Sequence, residues 1–464
     1  MKTLNRLVLF CMVGTAAMLA SCKDSGTTVN VSHPQKQVGA GITTDTLPAT
    51  PVKGTLLAGH TYYFTKDIIV NAGDTLLMQS GVKLICLRPA NLATPGPQLS
   101  ITGTFISLGT KDAPNWITVP DAQKTYDHFV NGEGLWGGIQ CAANSGDLIM
   151  KWTHVEYCGG PGEVGEPIAG SQGHRYIIWF QTPASHVILE DSWFRGAVDD
   201  PIRISGGKIS VMRNTWEWGG TQGGDGLNIK SGTVGDIAYN TFIGCATNGP
   251  KLSNKGGATV QTNVNIYNNT MINCGWRRQE TGRAGSTNIE EGARGTEYNN
   301  LIVNCRTGFR LVSAPAADSN HVFYDYQYYY AQDDSIRLKF YIPGDGIQKA
   351  KPHDIAGATK ANDPQFVGYD VNQFDFNSAP LQYVTPIGNQ PHGMNEQGSS
   401  NFNLKPTSPA AGKGVTTVPA DAAADGVTIP MTGIVPEGGD LGATRVGLGK
   451  DIGAYQLDGT GNVH

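Results

Sequence analysis

Between positions 199 and 310, acids and bases recur at fixed distances from apolar residues. Asp200 stands four residues before Ile204 and Asp225 four before Ile229, with Asp199 adjoining the first. Arg203 immediately precedes Ile204 and Lys230 immediately follows Ile229. Lys251 precedes Leu252, and Glu290 follows Ile289. If these apolar residues form one inward column, strand alternation turns Arg203, Asn228, Lys251, Asn288 and Arg310 outward together. Ser205, Lys230, Ser253, Glu290 and Val312 form the next outward column. Two carboxylates stacked at the ~4.8 Å spacing of neighbouring strands repel each other. One of the pair then has a raised pKa, shares a cation, or is paired with Arg203 or Lys230. Acids beside amines in this arrangement suit proton abstraction together with charge neutralisation. Taken singly, each is equally well a solvated charge or a turn Asp bonding its own backbone. The coincidence of paired Asp, neighbouring bases and long flanking loops is what singles out the cluster.

The elements that must hold these residues repeat. Asn214-Thr215-Trp216, Asn240-Thr241-Phe242, Asn269-Thr270-Met271 and Asn300-Leu301-Ile302 share one slot, which Asp191-Ser192-Trp193 and Thr153-His154-Val155 fill earlier. The steps are 38, 23, 26, 29 and 31 residues, in the period range of repeat architectures. Each unit holds brief β-branched and aromatic runs broken by Gly, without helical periodicity, so the unit is made of strands and the fold is a parallel β-helix. An inward Asn above another Asn satisfies both through an amide ladder. The fifth residue after the anchor is also small throughout: Cys158, Gly196, Gly219, Cys245, Cys274 and Cys305.

A solenoid lengthens without widening, so 464 residues fit one domain, expected over 54–464 and as a monomer. Charged residues make up only 16% and glycines number 61, as suits a turn-rich β protein. Strands are legible from Gly54 onward, after which two long insertions interrupt the repeats, at 159–175 and 275–285. The second carries Arg277, Arg278, Glu280 and Arg283, and insertions of one repeat type gather on one edge. Beyond Val312 irregular coils and a Pro/Gly-rich tail are expected. Six cysteines besides Cys22 and Cys11 are expected as buried thiols in a ladder, because stacked side chains pointing the same way rarely reach disulfide geometry. No Cys or His spacing suits zinc.

At the N-terminus Lys2 and Arg6 precede an apolar run ending in Leu19-Ala20-Ser21-Cys22. That is a signal peptide over 1–21 closing in a lipobox, which predicts lipidation of Cys22 and a flexible tether over 22–53. The expected location is the outer membrane, lipid-anchored and facing the cell exterior. Loss of Lys2 and Arg6 takes the net charge from −5 to −7, which argues against nucleic acid as a partner.

The chain resembles secreted right-handed β-helix lipoproteins of pectate-lyase-like fold. The resemblance is carried by Asn71-Ala72-Gly73-Asp74-Thr75-Leu76, by Gly134-Leu135-Trp136-Gly137-Gly138-Ile139 with Val155-Glu156-Tyr157-Cys158-Gly159-Gly160, and by three C-terminal phrases. These are Asn362-Asp363-Pro364-Gln365-Phe366-Val367, Asn403-Leu404-Lys405-Pro406-Thr407-Ser408-Pro409-Ala410 and Asp451-Ile452-Gly453-Ala454-Tyr455-Gln456. It implies an all-β, single-stranded right-handed parallel β-helix solenoid with irregular C-terminal coils. It does not choose an activity, because the fold carries lyases, hydrolases, epimerases and binders.

For a lyase acting on an acidic polysaccharide, the resemblance implies Ca²⁺ held by Asp199, Asp200 and Asp225 and completed by Glu290. Lys230, Lys251 or Arg203 then serves as base. Val198-Asp199-Asp200-Pro201-Ile202 is similar to the Asp-Asp stretch of polygalacturonases, but that family's Asn-Thr-Asp, Gly-His-Gly and Arg-Ile-Lys phrases are absent. A third expectation is a non-catalytic glycan-binding or structural surface rod, using the basic stripe and aromatic loops such as that of Trp276.

Overall fold

The computed structural model describes residues 37–88, 95–124, 134–162, 173–221, 223–278, 280, 283–341, 345–374, 401–433 and 441–464. The expected signal peptide, the lipidation site Cys22 and residues 22–36 of the expected tether lie outside the described residues. The chain is a right-handed parallel β-helix, as the repeat demands. Each full coil contributes one short strand to each of three parallel stacks. One stack of eleven strands runs from Thr61–Phe64 to Ile355–Ala356. The other two are joined where Ile202–Met212 and Leu227–Ala238 continue from one stack into the next, with a register shift between Ser205 and Gly207. Inward residues of all three form one core in which Ile204, Ile229, Phe242, Leu252 and Ile289 are fully buried.

A parallel coil must turn sharply between stacks, and it does so with single residues in the left-handed region. Trp152, Asp191, Arg213, Tyr239, Asn268, Asn299 and Tyr326 all have φ between 48° and 59°. The residue after each such corner points inward, and there the ladder forms. Backbone N–H groups of Ser192, Asn214, Asn240 and Asn269 donate to Oδ1 of Asn214, Asn240, Asn269 and Asn300, at 2.9–3.0 Å. The Nδ2 group of each earlier Asn bonds the next Oδ1 at 3.0–3.1 Å, so no ladder amide is left orphaned in the core.

One anchor is corrected. Trp193 is in register with Thr215, so Ser192 occupies the Asn slot and Asp191 is the corner before it. Asp191 instead forms a two-pronged ion pair with Arg213 of the following coil, both contacts at 2.7 Å. By the same offset Ala197, not Gly196, belongs to the small inward column; it is fully buried. The six described cysteines are buried and free, and the Cys274 N–H approaches Cys305 Sγ at 3.4 Å. The regular coils also outlast Val312: Tyr328–Tyr330 stacks on Leu301–Val303.

The tail decides which outer face stays open. Leu441 and Ala443 cover the outward Leu77, Ile106, Ile149 and Ile188. Val446 and Leu448 pack on Met212, Tyr239, Tyr267 and Tyr298. Ile452, Ala454 and Tyr455 pack on Ile243, Ile272, Leu301 and Val303 of the eleven-stranded stack. Among the described residues, no such tail segment covers the outward face of the remaining stack, which bears Arg203 and Lys251.

Candidate functional site

The open face holds a cleft of about 320 Å³. Its walls include the seven charged residues assigned to the candidate site from the sequence: Asp199, Asp200, Arg203, Asp225, Lys230, Lys251 and Glu290. The register that gathers them is direct. Arg203 pairs with Asn228, Asn228 with Lys251, Lys251 with Asn288, and Asn288 with Arg310. Ser205 pairs with Lys230 and Ser253 with Glu290, which makes the second outward column. Both columns follow from period-two alternation once the inward Ile and Leu residues are stacked.

The acids come from the turn before these strands. Asp200 Oδ1 accepts the Asp225 N–H at 2.7 Å, and its Oδ2 accepts Asn228 Nδ2 at 2.6 Å. Asp225 Oδ1 accepts Asn248 Nδ2 at 2.7 Å, so Asp200, Asp225 and Asn248 form a second polar ladder at the cleft wall. Burial, with the Asp199 charge behind it, holds the Asp200 carboxyl above the ordinary carboxylate range, against its two hydrogen bonds. Burial likewise pushes Asp225 up to about 6, against the pull of Lys251. The Asn228 amide is oriented by its carboxylate partner, which leaves its buried Oδ1 without a hydrogen-bond donor.

The three candidate bases differ. Lys251 sits 2.9 Å from Glu290 Oε1 and 3.8 Å from Asp225 Oδ2. Burial works against its charge, but those two carboxylates outweigh it and hold the ammonium above its usual range. For Glu290, burial is likewise outweighed, by Lys251 and Asn288, so its carboxyl stays below the usual range. Lys230 is 8% exposed and bonds no carboxylate among the described residues. Burial first, and then the charges of Lys251 and Arg203, press its ammonium below the ordinary amine range. Arg203 donates to the Tyr176 hydroxyl at 2.8 Å and bonds no carboxylate either. Lys230 therefore suits a proton acceptor, Arg203 an anion ligand, and Lys251 a fixed positive charge.

The fit to a resident Ca²⁺ is poor. Among the described residues no three His, Cys, Asp or Glu side chains converge as a metal site. Both Asp200 oxygens already accept hydrogen bonds, and Glu290 is bonded to Lys251 and Asn288.

Three contributors were not singled out from the sequence. Asn248 had a signal, since it stands four residues before Leu252 as Asp225 does before Ile229. Tyr176, and Asp345 with its two contacts to Arg310, come from irregular segments whose placement no periodicity encodes. Of the second insertion, Arg278 and Arg283 line the cleft. Arg277 turns inward, stacks 3.6 Å from the Trp218 ring and donates to the Gly219 and Thr221 carbonyls. Trp276 is half-buried, donates to the Asn304 carbonyl at 2.8 Å and packs near Phe374, away from the cleft lining. Compared with family models, curated proteins and solved structures, the chain shows no significant match.

Proposed function

We propose that this chain is a lipid-anchored surface lipoprotein of pectate-lyase-like type that cleaves an acidic polysaccharide by β-elimination. The observation that carries the reading is Lys230: a buried amine that, among the described residues, bonds no carboxylate, in a cleft, one coil from an Arg203 that likewise bonds none of them. Arg203 binds the uronate carboxylate and stabilises the charge that grows on it as the adjacent C5–H bond breaks. Neutral Lys230 takes that proton. The C–H electron pair becomes the C4=C5 double bond, the C4–O4 bond breaks, and the leaving oxygen takes a proton from Asp225. Lys251 remains charged throughout and adds to the positive potential.

The test is incubation with acidic glycans and detection of the unsaturated product by its ultraviolet absorbance. Wild-type protein yields it, and Lys230→Met lowers turnover by about 10²–10⁴-fold while glycan binding persists. Absence of unsaturated product from every acidic glycan, with and without added calcium, refutes elimination. The stacked pair Asp200 and Asp225, both held above the ordinary carboxylate range by burial, supports a second reading, glycoside hydrolysis, which is recognised by new reducing ends without absorbance. A purely binding role predicts that glycan affinity survives replacement of both Asp residues by Ala and that no turnover is found at all.

A further inference from the structure

The outward column along the cleft alternates in kind from coil to coil. It reads Arg203, Asn228, Lys251, Asn288, Arg310, with each residue in strand register with the next. Within this column a cation stands on every second coil and an amide on each coil between, while Lys230 and Glu290 of the neighbouring outward column stand on the two amide coils. The five coils extend along the solenoid axis for about 19 Å. A pyranose unit in an extended chain is about as long as one coil spacing, so a glycan lying along the cleft sets one sugar against each side chain of the column.

The surrounding charges oppose a uniformly anionic polymer. Seven basic and six acidic side chains line the cleft. Lys251 is bonded to Glu290, and Arg310 holds Asp345, with 3.1 Å between its Nε and Oδ1. A polymer with a carboxylate on every unit would set one against each Asn coil, where Asp200 and Glu290 already stand bonded to Asn228 and Asn288. Among the described residues Asn228 offers an unpartnered acceptor, its Oδ1 being buried and the residue only 6% exposed, whereas Asn288 Oδ1 accepts an Arg310 N–H at 2.9 Å. The Asn228 atom calls for a donor, such as an acetamido N–H or a hydroxyl.

Resting on the cleft being a glycan site, we infer that its substrate is a disaccharide-repeat polymer in which a uronate alternates with an uncharged, hydrogen-bond-donating sugar. The uronates face Arg203, Lys251 and Arg310, and the uncharged units face Asn228 and Asn288.

The experiment measures binding rather than turnover, using the Lys230→Met protein, an unsulfated chondroitin hexasaccharide and a galacturonate hexasaccharide. The alternating glycan is expected to bind at least tenfold more tightly. Arg310→Gln is expected to weaken the alternating hexasaccharide about tenfold and leave its trisaccharide unchanged, because Arg310 lies four coils from Arg203. Asp345→Asn, which frees Arg310, should tighten the hexasaccharide and so guards against Arg310→Gln acting by misfolding. Equal or tighter binding of the galacturonate, equal losses for tri- and hexasaccharide, or binding of neither glycan overturns the inference. Alternating binding without unsaturated product from the wild-type protein sinks the elimination reading and leaves this one standing.

Discussion

Glu297 is an acid in the core, and its removal should change how stability depends on pH. It points inward from the strand Arg294–Tyr298, in register with Ile266 below and Tyr324 above, and has no exposed surface. Its Oε2 accepts the Asn300 amide at 2.8 Å, which ties it to the Asn ladder. Burial pushes its carboxyl from 4.5 up to about 8, against a hydrogen bond with Thr287. The folded protein therefore keeps this proton at neutral pH, whereas the unfolded chain gives it up above about pH 4.5. Stability is full below the unfolded value and falls by ~1.4 kcal/mol per pH unit until the folded value is reached, about 5 kcal/mol in all. Glu297→Gln keeps an acceptor for Asn300 and carries no ionisable proton. Between pH 5.5 and 7.5 the variant should gain on wild type by about 3 kcal/mol, or ~3 °C in melting temperature for a chain of this size. Thermal melts of both proteins at the two pH values measure it. A gap that stays constant, or one that moves against the variant as pH rises, refutes the assignment of a buried, protonated Glu297.

Two further outcomes test the ladder and the site. Asn240→Leu strands the Asn214 N–H and the Val211 carbonyl in the core and breaks the amide contacts on both sides. It should cost about 3–6 kcal/mol, read by urea denaturation, and a variant as stable as wild type shows that the ladder is not a stabilising element. Lys251→Met removes a positive charge that disfavours protonation of Lys230, so the rising limb of the pH–rate profile should move to higher pH; an unmoved limb excludes Lys230 as the base.

Much of this was legible in the sequence because a solenoid makes sequence period and spatial position nearly the same thing. Asn214, Asn240, Asn269 and Asn300 could be stacked by inspection, and the stacking alone placed Arg203, Lys230, Lys251 and Glu290 on one wall. The single slip, at Asp191, came from the left-handed corner. Asp is a plausible ladder residue and an equally plausible corner, and only the register of Trp193 with Thr215 separates the two. Asp199, Asp200 and Asp225 were legible as neighbours, but Asp200 and Asp225 were not legible as carboxylates with oxygens occupied by Asn228, Asn248 and a backbone N–H.

By itself the sequence determined the stacked strands, the polar ladder and the column of charges, since period-two alternation and coil-to-coil stacking are local rules applied repeatedly. Which amine lacks a carboxylate, and which outer face stays open, was decided only in three dimensions. Glu290 reaches Lys251 from the next coil. Asp345 reaches Arg310 from a distant loop. The tail from 441 onward covers outward columns of two stacks and, among the described residues, leaves the third uncovered. The last two come from segments with no repeat, so no spacing rule contains them. Yet together these contacts set the burial and neighbouring charge that make Lys230, rather than Lys251, the amine fit to take a proton.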